Sequence, residues 1–305
     1  MNIWISGAGG RLGSVLNIHL LQSGFKITSL SRTDLSPTAR DGLVNLFDKS
    51  KPDYFIHLAS NLTPRGSPAS MVLSDAMETL ELDRFVYRFC GLHNIPLIYT
   101  STYFIYSARA KPWTESEFDL AEPFAYGDRQ IYALVKAQVS REIVNRRRSG
   151  DQFSAIVIPN IIGGQLQGND RRDHLAERAL SLIVESLQDQ KKTIDAGQGD
   201  GRRLQFISPT EFSRWLCHVL KAGVVLPELT HLASAESFTP LDLFRSITRY
   251  LAIDLEVVGS DPDEINSTTI DDNMARSTLN WNGGRSLDDA VNQWLSAQKL
   301  NLLKN

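Results

Sequence analysis

The chain has 305 residues, of which 42% are hydrophobic and 22% charged, and its formal net charge is -3. This composition is that of a folded globular protein and excludes a disordered chain, and the length fits one enlarged α/β unit or an α/β domain with a smaller appended domain. The slightly acidic charge offers no basic field to a phosphate backbone, so no nucleic acid is expected as a partner.

The first half of the chain alternates short apolar runs with amphipathic segments. These patterns predict strands and helices respectively. In chain order they are a strand at 3–6, a helix at 12–23, a strand at 25–30, a helix at 43–49, a strand at 53–58, a helix at 71–92, a strand at 95–99, a helix at 130–147 and a strand at 153–158. Such alternation favours a parallel sheet with helices on both faces. We therefore expect an α/β protein with a doubly wound parallel sheet, a Rossmann fold.

The second half is less regular. Glycine-rich loops at 163–164 and 197–201 flank a predicted helix at 174–188, and a strand at 206–208 with a helix at 209–220 is expected to return to the sheet. The predicted boundaries are a main domain at 1–158, with return elements near 204–235, and a smaller C-terminal lobe made of 159–203 and 236–305.

The two cysteines, Cys90 and Cys217, are far apart and lie in apolar helical patterns, so no disulfide framework is expected and a cytoplasmic location fits. The sequence starts with a strand-like segment and no basic region, which argues against an export signal. No apolar run approaches the roughly 20 residues that span a bilayer, so no membrane span is expected. No metal site is predicted.

Gly7, Gly10 and Gly13 have a G-x-x-G-x-x-G spacing between the first predicted strand and the first helix. Glycines permit a tight turn and a close approach of the backbone to a pyrophosphate, whose charge the helix N-terminus attracts. This turn, which includes Arg11 and Leu12, predicts that the main domain binds a dinucleotide.

Ser31 and Arg32 follow the second predicted strand. An NAD site usually has an acidic residue there, which binds the adenosine ribose. Arginine instead presents a planar fork of donors that suits a 2′-phosphate. Arg32, with Arg11 as a second candidate, therefore favours NADP, and NAD is the alternative.

Tyr132 and Lys136 are four residues apart and hence on one face of a helix. An ammonium near a phenol favours the phenolate, so this pair suits proton exchange with a substrate oxygen near neutral pH. Ser101 and Thr102 end a predicted strand whose hydroxyls are expected at the same cleft. Tyr126 lacks such a partner, because Gln130 lies four residues after it.

These segments resemble the extended short-chain dehydrogenase/reductase family, the NAD(P)-dependent nucleotide-sugar epimerases, dehydratases and 4-keto-reductases. The resemblance covers nearly the whole chain, and its motifs are the glycine turn, the segment 52–59, the strand end at 101–102, the Tyr132/Lys136 pair, the turn at 159–163 and the segments 271–281 and 286–290. It implies that the smaller lobe binds substrate and that the protein is a homodimer joined through two long helices.

The resemblance implies a role for each residue of the catalytic set. In this family the tyrosine is the general acid/base, the lysine also binds the nicotinamide ribose, and a serine or threonine polarises the substrate. These roles correspond to Tyr132, Lys136 and Thr102, with Ser101 as the fallback. Asp75 stands where the family commonly has asparagine, which puts a proton relay through that position in doubt.

The loop after the third predicted strand resembles the family segment that runs past the dinucleotide. Its residues Leu58, Ala59 and Ser60 are therefore expected to contact the cofactor, whereas His57 is expected to be structural.

The family's extended members mostly act on nucleotide-linked sugars, so a small molecule of that class is the expected partner. The resemblance implies substrate contacts for Asn160 in the turn after Pro159 and for Arg203 after the glycine-rich loop. His174 lies about where epimerase-reductases of the GDP-fucose type have a histidine.

Three functions remain open. Tyr103 and Phe104 stand where dehydratases have an Asp-Glu pair, so no dehydration machinery is visible. NADPH-dependent reduction of a 4-keto nucleotide-sugar is favoured by the missing acidic residue after the second strand. The alternatives are an NAD-dependent nucleotide-sugar epimerase and a dinucleotide-binding regulatory subunit without catalysis.

Overall fold

The structure is a computed structural model that describes residues 1–35, 40–60, 63, 67–123, 129–164, 175–196, 202–259 and 267–302. The strands in these ranges are β1 (Asn2–Ser6), β2 (Lys26–Leu30), β3 (Tyr54–His57), β4 (Leu97–Thr102), β5 (Phe153–Ile158), β6 (Asn160–Ile161), β7 (Thr193–Asp195), β8 (Phe206–Ile207), β9 (Leu229–His231) and β10 (Glu256–Val258). The helices are α1 (Arg11–Gln22), α2 (Arg40–Lys49), α3 (Ala69–Leu92), α4 (Arg129–Arg148), α5 (Leu175–Gln188), α6 (Pro209–Lys221), α7 (Pro240–Leu251), α8 (Asn273–Thr278) and α9 (Leu287–Leu302). Two 3₁₀ turns lie at Tyr103–Ile105 and Glu115–Leu120.

Six strands form the main sheet in the order β2-β1-β3-β4-β5-β9, and every neighbouring pair is parallel. The strand order reverses direction at β1, because β2 lies on one side of it and β3 on the other. Ligands of such sheets bind outside the carboxyl ends of the strands at this switch point. The predicted doubly wound Rossmann-type sheet is confirmed.

Helices cover both faces of the sheet because neighbouring strand residues point to opposite sides. Trp4 packs with Phe55 and Tyr99 among residues of α3 and α4, whereas Ile3 and Ile5 pack among residues of α1 and α6. The turns at the ends of β1, β3 and β4 are therefore fixed by two separate hydrophobic clusters.

A third hydrophobic cluster lies in the C-terminal part of the chain and joins α5, α7 and α9 with the paired strands β7 and β10. Between this cluster and the main sheet, β6 pairs in parallel with β8. The strand predicted at 206–208, observed as β8, does not return to the main sheet. Instead β9 extends that sheet by pairing with β5, and α6 packs against α1. None of the helices described here is both long enough and apolar enough to cross a lipid bilayer.

Candidate active site

The turn between β1 and α1 is built in a way that only glycine allows. Gly7 has a φ of +73°, and a Cβ atom there would lie 2.7 Å from the backbone nitrogen of Ala59. A Cβ atom on Gly13 would overlap the carbonyl oxygen of Gly7, which accepts a hydrogen bond from the Gly10 nitrogen at 2.9 Å. Gly7 therefore packs against the loop that follows β3, and Gly13 lets α1 pack against the Gly7 turn.

A cleft of about 380 Å³ opens beside this turn, at the carboxyl ends of β1, β2 and β3. Its lining consists of Gly7, Ala8, Gly9, Ser29, Leu30, Ser31, Arg32, Ala59 and Ser60. No side chain caps the N-terminus of α1. In the described chain, the hydroxyl of Ser60 also has no hydrogen-bond partner. Free N–H groups at a helix N-terminus attract phosphate, so these residues fit a dinucleotide.

Arg32 lies at the β2 end of the cleft. Its side chain is 54% exposed, and among the described residues the carboxylate paired with it is that of Glu78 at 3.8 Å. Ser31 beside it donates two hydrogen bonds to the Asp34 carboxylate, from its backbone nitrogen at 2.8 Å and from its hydroxyl at 2.6 Å. These bonds lower the pKa of Asp34. The sequence analysis missed Asp34, although a serine three residues before an aspartate is a common turn pattern.

Arg11 points elsewhere. Its guanidinium is buried, forms an ion pair with Glu177 in α5 and donates a hydrogen bond to the carbonyl oxygen of Ile161 at 2.7 Å. Leu12, the next residue, is buried in the cluster beneath α1 and α6. The structure therefore does not bring Arg11 and Arg32 together, and Arg11 links the glycine turn to β6 and α5.

The two hydroxyl residues at the end of β4 lie in different surroundings. Thr102 accepts a hydrogen bond on Oγ1 from the Phe104 nitrogen at 3.4 Å and so begins the following 3₁₀ turn. The Ser101 hydroxyl lies 2.7 Å from that of Ser140, in the buried contact between β4 and α4. The structure therefore leaves Thr102 at the strand end and turns Ser101 into the core.

Tyr132 and Lys136 occupy different depths on α4. Tyr132 is half-buried, whereas Lys136 is only 2% exposed. The Lys136 ammonium donates hydrogen bonds to the Tyr99 hydroxyl at 2.9 Å and to the Thr100 carbonyl oxygen at 3.3 Å. Among the described contacts, no hydrogen bond joins the side chains of Tyr132, Lys136 and Thr102.

Asp83 of α3 is the acidic partner of Lys136, at 3.4 Å, and the sequence analysis missed it. Its carboxylate also accepts a hydrogen bond from the Tyr99 hydroxyl at 2.7 Å and lies 2.8 Å from Nε2 of His57. Burial alone would raise the pKa of Asp83, but the Lys136 charge and the hydrogen bonds from His57 and Tyr99 bring it below its ordinary value. Burial beside Asp83 raises the pKa of Tyr99 well above its usual range.

A signal for Asp83 exists in the sequence. The buried face of α3 includes Thr79, Asp83, Val86 and Cys90, at alternating spacings of four, three and four residues. A lone carboxylate on such a stripe is almost never left unpaired. The helical pattern therefore indicates that Asp83 needs a buried partner, although not which one.

Of the other predicted substrate residues, Asn160 begins β6, and Arg203 lies just before β8 in the chain. The Asn160 side-chain amide donates to the Gln205 carbonyl oxygen at 3.0 Å, and its oxygen is 3.5 Å from the Tyr103 hydroxyl. The Arg203 backbone nitrogen donates to the Ser267 hydroxyl at 2.7 Å. His174 and the glycine-rich loop at 197–201 lie outside the described residues. Within the described ranges no cluster of His, Cys, Asp and Glu side chains suits a metal ion.

Solved structures share this fold. A GDP-L-fucose synthetase from Naegleria fowleri bound to NADP matches with a TM-score of 0.76 and 15% identity, over 99% of this chain and 93% of that one. A GDP-6-OMe-4-keto-L-xylo-heptose reductase from C. jejuni matches with a TM-score of 0.77 and 15% identity, over 98% of each chain. A UDP-glucose 4-epimerase from Thermus thermophilus in complex with NAD matches with a TM-score of 0.73 and 15% identity, over 97% of this chain and 98% of that one.

At such identities these likenesses show a common fold. No curated protein matches the sequence significantly. The sequence pattern of the NAD dependent epimerase/dehydratase family, by contrast, matches residues 3–226, which include the glycine turn, Thr102, Tyr132 and Lys136. The family's enzymes are NAD(P)-dependent oxidoreductases and epimerases, which confirms the predicted resemblance and the expected class of cofactor. The chain belongs to the NAD dependent epimerase/dehydratase family.

Proposed function

We propose that the protein is an NADP-dependent oxidoreductase that reduces a keto group, at C4, of a nucleotide-linked sugar. The observation that carries this proposal is the chemistry of the cleft at the end of β2. Arg32 lines that end, and the nearby Asp34 carboxylate is occupied by two hydrogen bonds from Ser31. Arg32 is more than half exposed there and its contact with the Glu78 carboxylate is long, at 3.8 Å, so its guanidinium suits the 2′-phosphate that distinguishes NADP from NAD.

The remaining cleft residues would hold the rest of the cofactor. The uncapped N-terminus of α1 and the backbone of Gly7 and Gly10 would bind the pyrophosphate. Ala59 and Ser60, with Leu58 before them, would contact the adenosine half from the end of β3. When bound, the dinucleotide supplies the hydride, and the protein supplies orientation and the proton.

Tyr132 and Thr102 are the proposed acid and polarising hydroxyl. Helix α4 packs against β4 and against the 3₁₀ turn that follows Thr102, and Tyr132 lies near the start of that helix and is half-buried. From there the Tyr132 hydroxyl would donate a proton to the substrate oxygen, while the Thr102 hydroxyl would donate a hydrogen bond to it.

Lys136 contributes positive charge one turn further along α4 than Tyr132. To bind a ribose hydroxyl as well, its ammonium would have to leave the Asp83 carboxylate and the Tyr99 hydroxyl. A contact between Lys136 and the ribose therefore requires its side chain to move, whereas its electrostatic effect on Tyr132 does not.

The substrate class rests on the relatives. The Naegleria fowleri and C. jejuni proteins are named for GDP-linked sugars. We propose Asn160, Arg203 and His174 as substrate contacts and a homodimer in the cytoplasm as the working form.

A second candidate function is favoured by one observation, the burial of the Lys136 ammonium against Asp83. A protein that binds a dinucleotide at the same cleft but performs no hydride transfer would not need that ammonium at the nicotinamide ribose. Such a protein would act as a regulatory subunit.

An assay against keto-sugar nucleotides separates these functions. The purified protein would be incubated with NADPH or NADH and a panel of 4-keto sugars linked to UDP, GDP or dTDP, and cofactor oxidation followed at 340 nm, the absorbance of reduced nicotinamides. We expect oxidation of NADPH with at least one panel member. Tight NADPH binding without oxidation of any panel member would instead support the regulatory function. Interconversion of sugar epimers with NAD and no net oxidation would support the epimerase.

A further inference from the structure

A buried arginine stands at the start of α4, the helix that carries the proposed acid. Arg129 is the first residue of that helix and is only 6% exposed. It precedes Tyr132 by three residues, so the two side chains share one face of the helix. Even a fully paired buried charge adds little net stability compared with an apolar side chain of similar volume. A contribution to stability is therefore a weak reason for an arginine at this position.

The Arg129 side chain reaches the segment that joins β3 to α3. Its Nη1 donates a hydrogen bond to the carbonyl oxygen of Thr63 at 2.7 Å, and Thr63 is itself only 6% exposed. A hydrogen bond from a charged donor is roughly twice as strong as one between neutral groups. Arg129 thereby fastens this segment to the first turn of α4, which lies 66 residues further along the chain.

The same segment is also fastened at its start, by the end of β1. The backbone nitrogen of Leu58 donates to the Ser6 carbonyl oxygen at 3.2 Å, and that of Ala59 donates to the Ser6 hydroxyl at 3.4 Å. Ser60, which lines the cleft, lies in the chain between these contacts and Thr63. The place of the cleft wall formed by Ala59 and Ser60 therefore depends on an attachment to β1 and on an attachment to α4.

We propose that Arg129 is a positioning residue, which holds the cleft wall at Ala59 and Ser60 in a fixed place relative to Tyr132. The dinucleotide contacts that wall and Tyr132 donates the proton, so this one side chain sets the geometry between the cofactor and the acid. A displacement of about 1 Å at a reacting centre can lower a rate about 100-fold. The consequence for catalysis rests on the proposed function, whereas the attachment of the segment to α4 does not.

Three variants test the proposal: Arg129→Met, Arg129→Lys and Arg141→Met. Methionine removes the charge and the hydrogen-bond donors but keeps a long unbranched side chain, whereas lysine keeps the charge and loses the planar fork of donors. Arg141 is the matched control, because it lies on the same helix and also donates to a backbone carbonyl group, that of Ala121. Ala121 does not belong to the lining of the cleft.

Amide hydrogen exchange, measured by mass spectrometry, tests the attachment without cofactor or turnover. Peptides that contain Leu58, Ala59 and Ser60 are expected to exchange at least about tenfold faster in Arg129→Met than in the wild type, because the segment has lost its attachment to α4. In Arg141→Met the same peptides should exchange as in the wild type. Equal exchange in Arg129→Met and the wild type would overturn the proposal.

Fluorescence titration with NADPH tests the effect on the cleft wall. Arg129→Met is expected to bind NADPH about tenfold more weakly than the wild type, a loss of about 1.4 kcal/mol. Arg129→Lys should lie between these two proteins, and Arg141→Met should stay within about twofold of the wild type even if its Tm falls. An unchanged affinity in folded Arg129→Met would overturn the proposal.

The lysine variant keeps the proposal testable if Arg129→Met does not fold, because it retains the positive charge at this position. Its exchange rate and its NADPH affinity are then each expected to differ from those of the wild type by at least about threefold, since an ammonium does not reproduce the guanidinium fork. A smaller difference in either measurement would overturn the proposal.

If the wild type reduces a keto-sugar, Arg129→Met is expected to lower kcat at saturating NADPH at least about tenfold, in addition to raising the KM for NADPH. A purely structural role would leave the kcat of the folded variant unchanged, and that result would overturn the positioning role. If the wild type reduces none, the proposed function fails, while hydrogen exchange and NADPH titration still decide the role of Arg129.

Discussion

Arg11 and Glu177 form a buried ion pair that joins the first residue of α1 to the first turn of α5. The Arg11 side chain also donates a hydrogen bond to the Ile161 carbonyl oxygen. Through this one side chain, the glycine turn is tied to both β6 and α5. Glycine is required beside it, since a Cβ atom on Gly164 would lie 2.8 Å from the Arg11 carbonyl oxygen.

Glu177→Gln is expected to lower the free energy of unfolding by about 3 kcal/mol, because it leaves the Arg11 guanidinium buried without its counter-ion. Urea denaturation of both proteins measures this difference. Asp288→Asn is the control, because it breaks an ion pair with Arg249 in which both side chains are more than half exposed. Exposed pairs contribute little, so equal losses in the two variants would contradict the burial of Arg11.

Gly13→Ala is expected to weaken NADPH binding at least tenfold and to destabilise the protein, because the added Cβ would overlap the Gly7 carbonyl oxygen and force the turn open. Gly42→Ala is the matched control. Gly42 lies in α2 with no atom within 4 Å of its would-be Cβ, so alanine there is expected to stabilise the helix slightly. Fluorescence titration and urea denaturation of both variants provide the comparison. Undiminished NADPH affinity in Gly13→Ala would show that the turn does not bind the pyrophosphate.

Arg32 is expected to set the choice between the two cofactors. The wild type should bind NADPH more tightly than NADH, and Arg32→Asp should reverse this order by replacing a 2′-phosphate ligand with a carboxylate that suits the free ribose. Glu78→Gln, which removes the carboxylate 3.8 Å from Arg32, should leave the order unchanged. Titration of the three proteins with both cofactors decides the matter. A tenfold preference of the wild type for NADH, about 1.4 kcal/mol, would refute the 2′-phosphate assignment.

Tyr132→Phe is expected to reduce turnover about 100-fold or more, because it removes the proposed proton donor while leaving the phosphate contacts intact. NADPH affinity should stay nearly unchanged. The test is a steady-state assay on an accepted keto-sugar nucleotide, with NADPH titration alongside. Retention of near wild-type turnover would remove Tyr132 as the acid.

His231 is expected to make stability depend on pH between about 6.5 and 4. It is fully buried between the Tyr106 hydroxyl at 2.7 Å and the Asp271 carbonyl oxygen at 3.1 Å, and burial lowers its pKa to about 4. Below its unfolded pKa near 6.5, the unfolded chain binds the proton more readily than the folded one. Stability should therefore fall as the pH drops from about 6.5 to 4, by up to about 3 kcal/mol.

The Glu115 carboxyl group changes the stability with the opposite sign, because burial raises its pKa. As the pH falls through its titration, the folded chain binds the proton more readily than the unfolded chain, and stability rises. The relevant quantity is therefore the difference between the wild type and His231→Gln, measured by urea denaturation at steps of pH. The variant should have a flatter profile than the wild type, whereas His218→Gln, at an exposed position of α6, should leave the profile unchanged. Parallel profiles for the wild type and His231→Gln would rule out this histidine as the source.

The sequence by itself determined the order of the elements and the position of the glycine turn that borders the cleft. Apolar periodicity is a local property, so β1, α1 and α4 fall within one or two residues of the predicted bounds. The glycine turn is local too, because the steric conflict at Gly13 arises with Gly7 only six residues away. Family membership followed from the same short motifs.

Only the tertiary structure decided which charged side chains face the cleft and which are committed to the core. Lys136 and Asp83 are 53 residues apart in the chain, and the Arg11 guanidinium meets a carbonyl group 150 residues away. Helical spacing put Tyr132 and Lys136 on one face of α4, but it does not say how deeply each side chain is buried. In the structure Tyr132 is half-buried, whereas Lys136 is buried and paired with the Asp83 carboxylate. A buried charged side chain needs an oppositely charged partner close to it. For Lys136 that partner is Asp83, because α3 packs against α4, and no local sequence pattern specifies this contact.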